Sequence, residues 1–165
     1  MDGPGREVIR PLTGSGAGGR SGPSLLIGGA SILLYRTVAL LSAGATKVLK
    51  RWVVGLTIAE MIVDVTTIAQ SARAWCTRHP RHLRWALRAG AAATLLHAIR
   101  VAIFVLGRTG PWKDFDVRPE QRDDHGERWT WAQVVFAGVL SALGVVGVVL
   151  IWLARRSGRR ARFSS

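Results

Sequence analysis

Five ionisable side chains, Arg36, Glu60, Asp64, His97 and Arg100, lie inside long apolar stretches of this 165-residue chain. A carboxyl group removed from water can be held protonated, which suits a general acid, a general base or a proton carrier, and an imidazole beside it can pass the proton on. Guanidinium groups offer a planar fork of donors that fits a carboxylate or phosphate. Glu60, Asp64 and His97 are therefore candidate catalytic or proton-relay residues, and Arg36 and Arg100 candidate clamps for an anionic group. Thr57, Glu60, Asp64, Thr67 and Ser71 recur at intervals of three and four, a continuous stripe of one helix, and Thr94, His97 and Arg100 share a face of another. The hydroxyls of Thr57, Thr67 and Thr94 join the candidate ligand-binding set. No metal is expected here, because two permanently charged guanidiniums at the same depth would compete with a cation, and the residues identify no cofactor.

Such groups must be positioned by membrane helices. The chain carries 23 Lys+Arg against 10 Asp+Glu, a net charge of +13, yet its mean hydropathy is +0.22 and it has seven Trp. A nucleic-acid-binding protein is excluded by the way the basic residues fall in short clusters between apolar runs. Those runs, at about 24–46, 52–72, 85–107 and 131–154, are each long enough to cross the ~30 Å hydrocarbon core. Strands of a barrel would alternate polar and apolar residues, which these do not, so the fold class is an all-α integral membrane protein with a four-transmembrane-helix bundle over 24–154. Trp52, Trp75, Trp85, Trp129, Trp131 and Trp152 fall at or near the ends of the runs, where indole rings favour the interface. Residues 1–23, rich in Gly, Pro and Ser, read as a disordered tail and not as the apolar core of a signal peptide, and 155–165 as a basic C-terminal tail.

At 1.5 Å per residue, Glu60 and Arg100 come out roughly 12 and 10 Å deep, and Asp64, His97 and Arg36 roughly 15 to 18 Å, measured from the side bearing the 108–128 loop. The five share one layer, with two carboxylates against two guanidiniums if His97 is neutral. Counted over the two faces, thirteen Lys/Arg lie with the termini and the 73–88 connection and eight on the opposite side, so both termini are expected in the cytoplasm, in the cell membrane. The 108–128 loop on the far side is rich in acids, and its Asp114 and Asp116 are candidate additions to a pocket opening towards it.

Other features are read more plainly. His79 and His82, in a basic loop without carboxylates, suit contact with anionic lipid headgroups. Ala137, Gly138, Ser141, Ala142, Gly144 and Gly147 give the fourth helix small-xxx-small pairs, which serve packing inside the bundle or a homo- or hetero-oligomer interface. The single Cys76 excludes an internal disulfide, and its position near the membrane surface marks it as a palmitoylation candidate. Arg36, Gly44 and Lys47, followed by Glu60, resemble the pattern of small four-helix DoxX-type membrane proteins, whose first helix carries an Arg and then G-x-x-K. The likeness spans about 30 residues, its Arg-to-Gly interval is about one turn short, and it does not extend into the last two helices. Two functions stay open: a membrane enzyme or proton-coupled carrier that binds a small polar or amphipathic ligand, or an accessory subunit whose buried charges only fix helix packing.

Overall fold

The computed structural model describes residues 18–41, 46–77, 79–122 and 131–163. Four long helices, α1 (Gly18–Leu40), α2 (Arg51–Thr77), α3 (Pro80–Leu106) and α4 (Trp131–Phe163), form a bundle in which α1 and α3 each pack between α2 and α4. All four are long and apolar enough to cross a membrane. Their burial pattern is the reverse of a water-soluble bundle. The interior face of α2 is Val53, Thr57, Glu60, Asp64, Thr67, Ser71 and Ala74, whereas Ile58, Ile62 and Val65 on the same helix are exposed. Apolar side chains turned outward around a polar seam are stable only where the surroundings are themselves apolar.

The helix ends differ from those of the apolar stretches: α1 stops at Leu40, short of the expected 46, with residues 42–45 outside the described residues, whereas the other helices run further than expected at one or both ends. α1 begins at Gly18, so Gly18–Pro23 of the expected tail is helical, while residues 1–17 lie outside the described residues. Glycine reads as a breaker in the sequence, but Gly22 is where α1 and α4 meet. A Cβ there would lie 2.7 Å from Ile151 Cγ1 and 3.1 Å from the Gly147 carbonyl oxygen. α3 starts five residues before Trp85 because Pro80 fits the first helical turn and His79 caps it, with Nδ1 accepting from the Arg81 N–H at 3.2 Å. α4 continues through Arg155 to Phe163, since Arg and Ala propagate a helix well, so most of the expected basic tail is helical too.

The core is layered along the bundle axis. Leu26, Ala74, Ala86 and Ile151 form an apolar cluster towards the α2–α3 turn, and Leu49, Val53, Phe104 and Val134 form another at the opposite end. The polar stripes lie between them. At that opposite end the segment after α3 doubles back. Val117 pairs with Leu49 in an isolated antiparallel bridge, the Lys50 N–H donates to Asp116 O (2.9 Å) and the Arg118 N–H to Val48 O (2.8 Å). The turn that makes this possible has positive φ at Gly110 (58°) and Asp114 (61°), and the Phe115 ring lies 5.8 Å from that of Trp52. Residues 123–130, including the rest of the expected acidic loop, lie outside the described residues.

The glycine contact yields a test. Gly147 is covered by Leu26 Cγ at 3.0 Å and the Gly22 carbonyl oxygen at 3.2 Å, whereas nothing approaches Gly138 within 4 Å. Gly147→Val should cost about 1–3 kcal/mol by overpacking the α1–α4 contact. Gly138→Val should stay within about 0.5 kcal/mol. Thermal unfolding of the two variants in detergent checks both.

Candidate functional site

The heptad-like stripe of α2 and the Thr94–His97–Arg100 face of α3 are turned towards each other, so the side chains paired by depth in the sequence meet in the structure. Arg100 Nε donates to Glu60 Oε2 at 2.5 Å, its Nη2 contacts the same oxygen, and Nη2 also donates to Thr57 Oγ1 at 2.5 Å. Thr57 is in turn anchored by donating to the Val53 carbonyl at 2.9 Å. The His97 ring lies between the two carboxylates: Nε2 is 3.0 Å from both oxygens of Asp64, and Nδ1 is 3.6 Å from Glu60 Oε1. Glu60 and Asp64 are 0% exposed, His97 3% and Arg100 5%, so this is a desolvated network and not a surface ion pair. Charges this deep are tolerated only when paired and hydrogen-bonded.

Two small cavities flank the network, each of about 20 Å³. That is room for roughly one water molecule apiece. The first is lined by Arg36, Thr37, His97 and Arg100 with Leu33, Leu40 and Ala137 around them. The second is lined by Asp64, Thr67, Thr94, Ser141 and Gly144 among apolar neighbours. His97 faces the first cavity and is bonded to Asp64, which faces the second. Arg100 Nη1 is buried and has no hydrogen-bond partner among the described residues, although Arg100 lines the first cavity.

Arg36, whose facing the sequence leaves open, stands half-buried at this first cavity with its guanidinium 5.5 Å from the Phe136 ring centroid. Thr57 contacts the network directly, while Thr67 and Thr94 border the Asp64 cavity and donate back to Val63 O and Gly90 O. Sequence reasoning missed Thr37 and the Phe104 plug. Thr37 carries a signal, a hydroxyl residue one turn beyond the buried Leu33 in an apolar run, whereas Phe104 reads only as one more apolar residue.

Two expectations are corrected. The pocket does not open along the axis towards the 107–122 segment, because Leu49, Val53, Phe104 and Val134 close that end. Asp114 and Asp116 do not join the network. Asp116 is buried against Gly107, where a Cβ would lie 2.9 Å from its Cγ, and Gly107 is seven residues, about 10 Å, beyond Arg100 along α3. Its charge acts on Arg108, whose pKa burial lowers and Asp116 raises again. Asp114 occupies the left-handed turn position and donates its N–H to Gly107 O at 2.8 Å. Both acids fasten the segment to the end of α3, a role set by backbone closure that spacing along the sequence does not encode.

Among the described residues no three His, Cys, Asp or Glu side chains converge as metal ligands. Both nitrogens of His97 already face carboxylates. Of the small residues of α4, Ala137, Ser141, Gly144 and Gly147 point into the bundle or border its cavities, while Gly138 and Ala142 are left on the outer side. Comparison of the chain with protein-family models, with curated proteins and with solved structures gives no match.

The network makes its own prediction about stability. Glu60→Leu leaves the Arg100 guanidinium buried without its carboxylate and should cost about 3–5 kcal/mol. Glu60→Leu/Arg100→Leu, which removes both partners, should recover a large part of that loss in the same unfolding measurement, a coupling that a pair acting independently would not give.

Proposed function

We propose that this chain is a small multi-pass membrane protein that binds an anionic polar or amphipathic ligand together with a proton, as a proton-coupled carrier. The observation that carries the reading is the His97–Asp64 contact, which joins a cavity lined by guanidiniums to a cavity lined by a carboxylate. A neutral imidazole has one N–H. If Nε2 donates it to Asp64, the Nδ1 lone pair is left facing Glu60 Oε1, an arrangement that a further proton between Nδ1 and Oε1 relieves.

Charge counting couples that proton to an anion. With His97 neutral, Glu60 and Asp64 balance Arg36 and Arg100. One added proton makes the layer +1, and an anionic group at Arg36 and Arg100 Nη1 neutralises it. Each therefore favours the other's binding, and the linkage is reciprocal. The same groups are suited to general acid/base work in a membrane enzyme, with Glu60 and Asp64 as acid and base, His97 as relay and the guanidiniums holding the substrate. In this reading both termini face the cytoplasm of a cell membrane, because the larger Lys/Arg count lies on their side.

A second reading is favoured by the apolar clusters that close the network at both ends: an accessory subunit in which the buried charges fix register, the outward Gly138 and Ala142 face of α4 meets a homo- or hetero-oligomeric partner, and basic flanks rest on lipid. Infrared difference spectroscopy of the protein in lipid vesicles separates the two, with octanoate as the anionic probe. The carrier reading expects one carboxyl or imidazole signal that titrates with pH, shifts to higher pH when octanoate is added, and disappears in His97→Gln. The octanoate shift should be lost in Arg36→Gln. A network silent to both pH and octanoate, in protein that native mass spectrometry finds at fixed stoichiometry with other chains, would replace the carrier with the subunit.

A further inference from the structure

The α2–α3 turn holds a second polar cavity, separate from the intramembrane network. Gln70 and Arg73 from the last turns of α2, His79 before α3, and Arg81, His82 and Trp85 from its first turns line a cleft of about 410 Å³. Its shape is maintained by local bonds. His82 Nδ1 lies 3.3 Å from Gln70 Oε1, which ties the two helices together, and His79 Nδ1 accepts the Arg81 N–H. The two imidazole rings stand edge to face with centroids 5.9 Å apart. His79, whose Nδ1 accepts, carries its proton on Nε2 and can donate it to an occupant, while His82 holds the cleft together through Gln70.

Among the described residues the charge of this end meets no nearby carboxylate. From Val65 to Lys113 the sequence contains no Asp or Glu, and from Arg128 to Ser165 there is again none. Among the described residues, Arg73 and Arg81 therefore have no carboxylate on the adjoining turns of their hairpin or on α4. Donors without an acceptor are the chemistry of an anion site, and two guanidiniums from different helices present the divergent N–H groups that a tetrahedral oxyanion accepts from. Trp85 on the cleft wall and the exposed Trp75 nearby put the cleft at the level where indoles sit, the headgroup region in which lipid phosphates lie.

We infer that the α2–α3 turn is a binding site for a phosphate group, held by Arg73 and Arg81 with His79, His82 and Gln70 as further polar contacts. The inference does not depend on what the intramembrane network does. A phosphate at this position comes either from an anionic lipid or from solution, and the two sources are distinguished by experiment.

Native mass spectrometry of the detergent-purified full chain, titrated separately with phosphatidic acid, phosphatidylcholine and inorganic phosphate, is the test. Saturable retention of phosphatidic acid over phosphatidylcholine assigns the site to a lipid headgroup, and retention or competition by inorganic phosphate alone assigns it to a soluble phosphate. Arg73→Gln/Arg81→Gln should weaken the bound species about 25-fold, from roughly fivefold per arginine near an anionic group. Lys113→Gln, an exposed change at the other end of the bundle, should leave it unaltered. An unchanged melting temperature of the double variant confirms that the bundle is intact. Equal retention of phosphatidylcholine, no retention of either phosphate source, or equal loss in the double variant and Lys113→Gln would overturn the assignment.

Discussion

A guanidinium and a carboxylate placed inside an apolar bilayer must find each other, and the Arg100–Glu60 pair is the contact on which the rest of this bundle depends. It fixes the register of the α2–α3 hairpin. Ala74 with Ala86, Asp64 with His97, Glu60 with Arg100 and Val53 with Phe104 are successive rungs of one antiparallel pair. Sliding one helix by a turn would leave two carboxylates and a guanidinium unpaired at depth, a loss much larger than any single apolar contact in the two end clusters. The apolar rungs gain little from the interior, since lipid would solvate them nearly as well. Specificity of the fold therefore resides in the polar middle.

The other half of the bundle answers a different constraint. α1 and α4 bring no carboxylate to the interior, so they need only approach closely and seal. At the end near the α2–α3 turn they do this with glycine: Gly22 against Gly147 and Ile151, and Leu26 laid across Gly147 and Gly90. At the level of the network the contact residues are larger, Arg36 against Phe136. There the wall stops short of close packing and the cavity beside His97 and Arg100 remains. The site is thus made by a rigid charged hairpin and a partner pair whose side chains grade from glycine to arginine.

How much of this was legible in the sequence follows from which interactions are local. Helix stripes are periodic, so the alternation of three and four from Thr57 to Ser71 identified the buried face of α2 and matched it to His97 and Arg100 by depth. A lone residue has depth but no stripe, and Arg36 could be placed only once Phe136 on α4 was seen beneath it. Helix ends are hidden where glycine, proline and arginine read as tail, because a glycine used for close approach and one used for flexibility look alike without the partner helix. The bridge of Leu49 to Val117 joins positions far apart in the chain, and the role of Asp116 depends on it. No spacing announces that pairing.

For the proposed carrier, the distribution of charge along the axis bears on transit. All described acids lie in the network or in the segment that closes the Leu49–Phe104 end, whereas the α2–α3 turn and the last turns of α4 carry only cations among their ionised groups. An anion approaching from the α2–α3 side meets an attractive field at the surface, then the small apolar layer of Leu26, Ala74, Ala86 and Ile151 before the guanidiniums. The other end is also cationic on balance, with Lys47, Lys50, Arg51, Arg108, Lys113, Arg118 and Arg122 against Asp114, Asp116 and Glu120 among the described residues, and it lies ahead of a larger plug containing Phe104. In the carrier reading proposed above, an anion and a proton reaching this neutral layer compensate each other's charge only together, which is the electrostatic condition for coupling them.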